Sequence, residues 1–146
     1  MKARRFINAL DERRVVEAVR SAESGTSGEI RVFVTRRKLR GGNACARGHA
    51  EFRRLRMDHT ALRNGILFYV VPEDRIFSVI GDVAVHQECG QPFWDEIAAV
   101  MEEYFREEKF TEGLLSGIER AGKIMARHFP RQANDRNELP DSVVRD

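Results

Sequence analysis

An uninterrupted apolar run at the middle of the chain is the strongest structural pattern in the sequence. Ile66–Val71 contains only β-branched, aromatic and aliphatic side chains, with no polar alternation, so we predict a central strand that is covered on both faces. Pro72–Asp74 supplies a turn, and Arg75–Ile80 reads as a second strand. Arg63-Asn64 and Gly81-Asp82 flank this hairpin, and its antiparallel return should bring them to one edge of the sheet.

Helical patterns and one further strand precede the hairpin. A helix is predicted over 9–24, ended by a left-handed Gly25, and a first strand over 29–35. A weaker amphipathic pattern predicts a second helix over 44–57. Strand, helix and parallel strand then form a βαβ crossover, which is right-handed in nearly all known cases.

Two stronger helices are predicted after the hairpin. A short fourth strand is expected over 83–87, and a third helix begins at Pro92. Thr111 is a candidate cap for a fourth helix, which Pro130 ends. Residues 1–130 therefore form one α/β domain, a three-layer α/β/α sandwich around a small mixed sheet of three or four strands with about four helices. Residues 131–146 are polar, and we expect a disordered tail there.

Composition limits the class of protein, its expected location and the cofactors that it could bind. The 146 residues, 42% hydrophobic and 33% charged, suit a single soluble domain. Neither a secretion signal nor an apolar run long enough to span a bilayer is present, so we expect a cytoplasmic protein without a membrane anchor. Cys45 and Cys89 stand in no metal or redox spacing, and the four histidines form no zinc motif. No organic cofactor is expected.

The nearly neutral net charge of +2 conceals two oppositely charged stretches. We call residues 36–63 the basic band, with nine Lys or Arg against Glu51 and Asp58, and residues 88–119 the acidic band, with nine Asp or Glu against Arg106 and Lys109. The bands could dock on a protein partner or pair two copies of the chain; the alternative is two solvated helix faces. Nucleic-acid binding is disfavoured because Phe52 is the only aromatic residue among the arginines.

Several segments, in order and at sensible spacing, resemble the TPM domain family. They are TSGEIRVFV (Thr26–Val34), MDHTALRNGILFYV (Met57–Val70), DRIFSVIGD (Asp74–Asp82), FWDEIAAVM (Phe93–Met101), FTEGLLSGI (Phe110–Ile118) and HFP (His128–Pro130). The family is named for plant thylakoid-lumen proteins, photosystem II repair factors and a receptor modulator. The resemblance implies a Rossmann-like sandwich, an acid-phosphatase activity, and roles in assembling or repairing membrane complexes.

This sequence departs from the family pattern at three points. We expect neither the signal peptide nor the membrane anchor that many members carry. Val83–Val85 replaces a Gly-Ile pair, and Glu108 stands where Phe-x-x-Gly would place a glycine, so the turn there is expected to differ.

The common phosphatase signatures are missing. No Cys-x5-Arg loop, Asp-x-Asp pair or P-loop occurs, so any phosphatase chemistry would need metal assistance. Glu29, Asn64 and Asp82 should share one sheet edge and could bind Ca²⁺ or Mg²⁺ through oxygen atoms. Backbone amides at 91–94 could hold an anion nearby.

Two other interpretations of these residues remain open. Asp74, with Thr35 and Glu73, marks the opposite edge as the second choice for a metal site. Alternatively, the residues have structural roles. Glu29 would then cap a helix or form an ion pair with Arg63. Asn64 and Asp82 would be turn residues, and Gly81 would have a positive φ. Trp94 is interpreted as a core anchor.

The sequence thus supports two functional hypotheses. The first is a non-enzymatic interaction or assembly module of unknown partner, with a divalent cation at one sheet edge as an optional feature. The alternative is a metal-assisted phosphatase acting on phosphomonoesters.

Overall fold

A computed structural model describes residues 2–132 and 140–146. Its helices are α1 (Ala3–Ala9), α2 (Glu12–Ser24), α3 (Ala44–Arg54), α4 (Val83–Cys89), α5 (Gln91–Arg106) and α6 (Phe110–His128). Its strands are β1 (Glu29–Val34), β2 (Gly65–Val71), β3 (Ile76–Gly81) and β4 (Val144–Arg145). Short 3₁₀ turns occupy Met57–His59 and Pro72–Asp74. No helix among the described residues combines the length and apolar character needed to cross a membrane.

The four strands form one mixed sheet in the order β3-β2-β1-β4. β1 pairs in parallel with β2 and with β4, while β3 returns antiparallel to β2. Every residue of β2 is buried, because the strand lies inside the sheet and both of its faces are covered. The predicted central strand, its hairpin and the βαβ crossover are therefore confirmed.

Two hydrophobic clusters cover the two faces of the sheet. The larger cluster joins alternate sheet residues such as Ile30, Ile66 and Phe68 to α2, α5 and α6. The smaller one joins the intervening residues, such as Phe33 and Leu67, to Phe52 of α3. This is the predicted three-layer α/β/α sandwich, and within residues 2–132 and 140–146 α3 is the only α-helix on the side of the smaller cluster.

The amino-terminal helix differs from its prediction. The helix predicted over 9–24 is α2, which begins at Glu12 because the Asp11 side chain accepts a hydrogen bond from the backbone N–H of Arg14 (3.3 Å) and caps it. The preceding helix α1 was not predicted. Gly25 ends α2 with φ −99° rather than in the left-handed region, so that prediction is wrong. Thr111 lies inside α6, where its hydroxyl accepts from the Asp11 N–H at 3.0 Å instead of capping the helix.

The predicted strand over 83–87 is also wrong, since these residues begin α4. The Asp82 side chain accepts the Val83 N–H at 2.8 Å and starts the helix, which buries Val85 and leaves Val83 50% exposed. Helix capping and the burial of Val85 thus outweigh the β-propensity of valine.

The tail is ordered at its end, contrary to the prediction of disorder over 131–146. Val144–Arg145 forms β4, and Val143 is 8% exposed in the larger cluster. Residues 133–139, which belong to the same prediction, lie outside the described part of the chain.

Candidate functional site

The predicted site edge lies at the start of β2. Glu29 is in register with Gly65, and the Asp82 N–H donates to the Gly65 carbonyl at 2.9 Å, so Glu29 and Asp82 flank Gly65 on its two sides. Asn64 directly precedes Gly65. The hairpin therefore returns as the sequence suggested, and two spacings of about 5 Å separate the Glu29 and Asp82 backbones.

Asp82 is held by Arg63. Its side chain is 4% exposed and accepts two hydrogen bonds from the guanidinium, Nε to Oδ2 at 2.7 Å and Nη2 to Oδ1 at 2.8 Å. Hydrogen bonding and the negative charge of Asp82 raise the pKa of Arg63. Arg63 adopts a left-handed backbone (φ 53°), a conformation that costs energy for a residue with a Cβ. The Arg63 backbone is therefore locally strained in the conformation that places its guanidinium against Asp82.

The other two predicted ligands are buried beside this pair. Asn64, 1% exposed, donates its amide Nδ2 to the Ser27 hydroxyl at 3.2 Å, and Glu29 is 3% exposed. Among residues 2–132 and 140–146, no group of three or more His, Cys, Asp or Glu side chains could hold a metal ion. Both oxygens of Asp82 already accept hydrogen bonds, so a cation at this set would have to compete with Arg63 for Asp82.

Gly81 and Trp94 form a close contact next to this edge. Gly81 does not have positive φ; instead, an added Cβ there would lie 2.2 Å from the Trp94 ring. The Trp94 indole N–H donates to His86 Nδ1 at 3.2 Å. Trp94 is partly buried against the larger cluster, which agrees with its interpretation as an anchor.

The residues of the opposite edge tie chain segments together. Glu73 accepts the Ala3 N–H at 2.8 Å, and Asp74 accepts the Leu39 N–H at 2.8 Å. Thr35, fully buried, donates its hydroxyl to Asp146 Oδ2 at 2.5 Å. These contacts account for the polar side chains that suggested a second metal site.

Sequence reasoning missed a buried acid, Glu23. Its side chain accepts the Ile30 N–H at 2.9 Å and shares a hydrogen bond with Asp141. Burial, followed by the hydrogen bond with Asp141, raises the pKa of Glu23 to about 10, so the group carries a proton at neutral pH. The signal was present in the sequence: Glu23 follows Val15 and Val19 at intervals of four residues, on the buried stripe of α2.

A largely apolar cavity of about 550 Å³ lies beside the hairpin turn, between α1, α5 and α6. Its lining includes Phe6, Phe105 and Phe110. The charged lining residues comprise two arginines, Arg75 and Arg106, and two glutamates, Glu102 and Glu108. This balance favours neither an anionic nor a cationic ligand.

Comparison with known proteins gives a consistent result. A family model described as the TPM domain matches residues 2–124. The NMR structure of the BA42 protein from the psychrophilic bacterium Bizionia argentinensis is similar, with 36% identity, a TM-score of 0.86 and 92% of each chain covered. The solution NMR structure of the N-terminal domain of a P. gingivalis protein has 17% identity and a TM-score of 0.61, over 80% of this chain and 76% of that one, and shares the fold alone. No protein with a curated description matches.

Proposed function

The chain belongs to the TPM domain family, and from this premise we propose that it is a non-enzymatic interaction module that docks on an acidic protein surface through its basic band. The proposal is supported by the way the fold distributes charge between its two outer layers.

The two charged bands occupy opposite sides of the molecule. Much of the basic band lies on or beside α3, which covers one face of the sheet, whereas most of the acidic band lies on α5 and α6, which cover the other. All nine cations of the basic band except Arg47 are exposed. Two copies could therefore pair unlike bands only head to tail, an arrangement that extends instead of closing into a dimer.

Ion pairing differs between the bands, and this difference carries the proposal. In the acidic band, five glutamates pair with basic side chains of the same chain: Glu96, Glu107, Glu108, Glu112 and Glu119. In the basic band, six cations make no ion pair with any described residue: Arg36, Lys38, Arg40, Arg47, Arg53 and Arg56. The basic band therefore retains positive charge that an external acidic surface can complement.

A protein partner suits the basic band better than a nucleic acid. Phe52 is 4% exposed and packs in the smaller cluster, so it offers no ring on which a base could stack. Recognition through this surface would depend on charge and would be sensitive to salt.

The test uses a fluorescent glutamate-rich peptide and a single-stranded RNA of equal charge as probes. The wild-type chain should bind the peptide, and the double variant Arg53→Glu/Arg56→Glu should bind at least tenfold more weakly. Glu102→Gln/Glu103→Gln on the other face is the matched control and should leave affinity unchanged or raised. Equal binding by wild type and the arginine variant, or tighter binding of RNA than of peptide, would contradict the proposal.

Divalent-cation binding at the edge of Glu29, Asn64 and Asp82 is the second candidate, because two buried carboxyl residues flank Gly65 there. Since Arg63 already holds Asp82, a cation would have to displace it. Calorimetric titration of Ca²⁺ and Mg²⁺ should then give tighter binding to Arg63→Ala than to wild type, and none to Asp82→Asn. Equal heats from all three proteins would remove this site. Phosphatase activity stays a prediction from the family resemblance.

A further inference from the structure

The last strand closes an edge of the sheet that would otherwise be open. β4 contributes only two ladder positions, Val144 beside Phe33 and Arg145 beside Val34. Without it, β1 would present unpaired backbone N–H and C=O groups, which are a template for another extended chain. Because two ladder positions supply few backbone hydrogen bonds, side-chain contacts decide which sequence fits there.

Consecutive aliphatic residues engage both faces of the sheet. Val143 is 8% exposed within the larger cluster, and Val144 packs against the smaller cluster. This is the alternation expected of an extended strand. A charged residue at either position would be placed against apolar surface, so the edge selects two adjacent aliphatic side chains.

A carboxylate pocket follows the aliphatic pair. Asp146 accepts hydrogen bonds from the Thr35 hydroxyl at 2.5 Å and from the Arg36 N–H at 2.7 Å, and the Arg37 Nε lies 3.6 Å from its Oδ2. Thr35 is oriented by the Arg37 N–H, which donates to its hydroxyl at 3.1 Å. Backbone, hydroxyl and guanidinium donors thus converge on one carboxylate at the carboxyl end of β1.

Charged contacts on α2 complete the recognition. Arg145 forms an ion pair with Glu12, and Asp141 lies 3.5 Å from the Nε of Arg20. The segment bound at this edge, residues 141–146, therefore has side chains in the order acidic, any residue, aliphatic, aliphatic, basic, acidic.

We propose that the β1 edge, together with residues 35–37, is a binding site for an extended segment of a partner protein with this order of side chains, and that the chain's own residues 140–146 keep it filled. This goes beyond the charge-based docking proposed above, since it adds backbone pairing and an aliphatic pair. Because residues 140–146 are tethered, their effective concentration at the β1 edge is on the order of millimolar. A partner's segment therefore competes poorly for the edge until residues 140–146 leave it. The mode is β-strand addition, in which backbone bonds give affinity and alternate side chains give specificity.

The test releases the segment within the full chain. Val143→Lys/Val144→Lys places charges at the aliphatic positions, and Ser142→Lys at an exposed neighbouring position is the control. The probe is a fluorescent peptide of residues 140–146 with both ends blocked, so that its only carboxylates are side chains. The released variant should bind this peptide at least tenfold more tightly than wild type or Ser142→Lys does. A peptide carrying Ala for Asp146 should lose that affinity, because it has no acceptor for Thr35 and Arg36. Failure of a folded released variant to bind would overturn the proposal.

A milder substitution covers the case in which the released variant does not fold. In full-length Asp146→Ala, which removes the acceptor of the Arg36 N–H, amide hydrogen exchange at Arg36 should be at least tenfold faster than in wild type; equal protection would overturn the carboxylate pocket. Sedimentation distinguishes the occupant. A wild-type dimer that appears only at high protein concentration and is lost in the released variant would identify a second copy, and would overturn the assignment to a partner protein.

Discussion

Replacing Glu23 by glutamine tests the proton that the structure assigns to this buried carboxyl group. Burial raises the pKa of Glu23 from 4.5 to about 10, so folding takes up one proton between these two values. The protonated group's contribution to stability is fully present below the unfolded pKa and is lost as the pH rises through the folded pKa. Glutamine has nearly the same shape, can accept the Ile30 N–H and can donate to Asp141, but it cannot ionise.

The magnitude follows from the pKa interval. One proton changes the free energy of unfolding by up to about 1.4 kcal/mol per pH unit, which gives an upper limit of about 3 kcal/mol at pH 7. Because water entry and relaxation reduce such values, we expect Glu23→Gln to exceed wild type by about 1 to 3 kcal/mol at pH 7 and to match it near pH 5.

Urea unfolding at pH 5, 6, 7 and 8 measures the difference. Glu17→Gln, on the exposed side of the same helix, is the matched control and should follow the wild-type profile. Parallel pH profiles for Glu23→Gln and wild type would show that Glu23 is ionised in the folded state, and would refute the reasoning.

Three further predictions concern stability and can be checked by the same unfolding measurements. Thr60→Val should stabilise the fold by about 1 kcal/mol, because the buried Thr60 hydroxyl has no hydrogen-bond partner among the described residues; Thr60→Ser should not. Gly81→Ala should lower the free energy of unfolding by about 1 to 3 kcal/mol, since its Cβ would lie 2.2 Å from the Trp94 ring. The control Gly25→Ala should be neutral, because its Cβ would meet nothing closer than 3.8 Å. Equal effects of the two substitutions would refute the contact. Glu108→Gly should be about 1 kcal/mol more stable than Glu108→Ala, because residue 108 has φ 59°, and the opposite order would contradict left-handed strain there.

The sequence predicted elements most reliably where one side-chain pattern left a single solution. The unbroken apolar run of β2 required cover on both faces, and the stripes of α5 and α6 required a common core. The prediction over 83–87 was wrong because valine propensity is weaker than a cap: Asp82 accepts the Val83 N–H and begins α4. Glu108, which stands where Phe-x-x-Gly would place a glycine, has the left-handed backbone (φ 59°) that glycine tolerates best; that this turn differs from the turn in the family stays a prediction.

For the candidate site, the sequence likewise indicated where the residues lie but not which partners they contact. The sequence placed Glu29, Asn64 and Asp82 at one edge, and the register of β1, β2 and β3 agrees. The sequence offered Glu29 as a partner for Arg63, whereas the structure pairs Arg63 with Asp82, because the pairing depends on the backbone torsion of Arg63 and on which acceptors lie within about 3 Å.

The sequence by itself determined the family, the α/β class and the separation of charge into two bands, because these depend on residue order and periodicity. Only the tertiary structure decided that the bands lie on opposite layers, that the basic band forms fewer ion pairs among the described residues, and that Asp146 accepts hydrogen bonds at the end of β1. Such properties depend on contacts between residues more than a hundred positions apart, as for Thr35 and Asp146, and no local pattern encodes them.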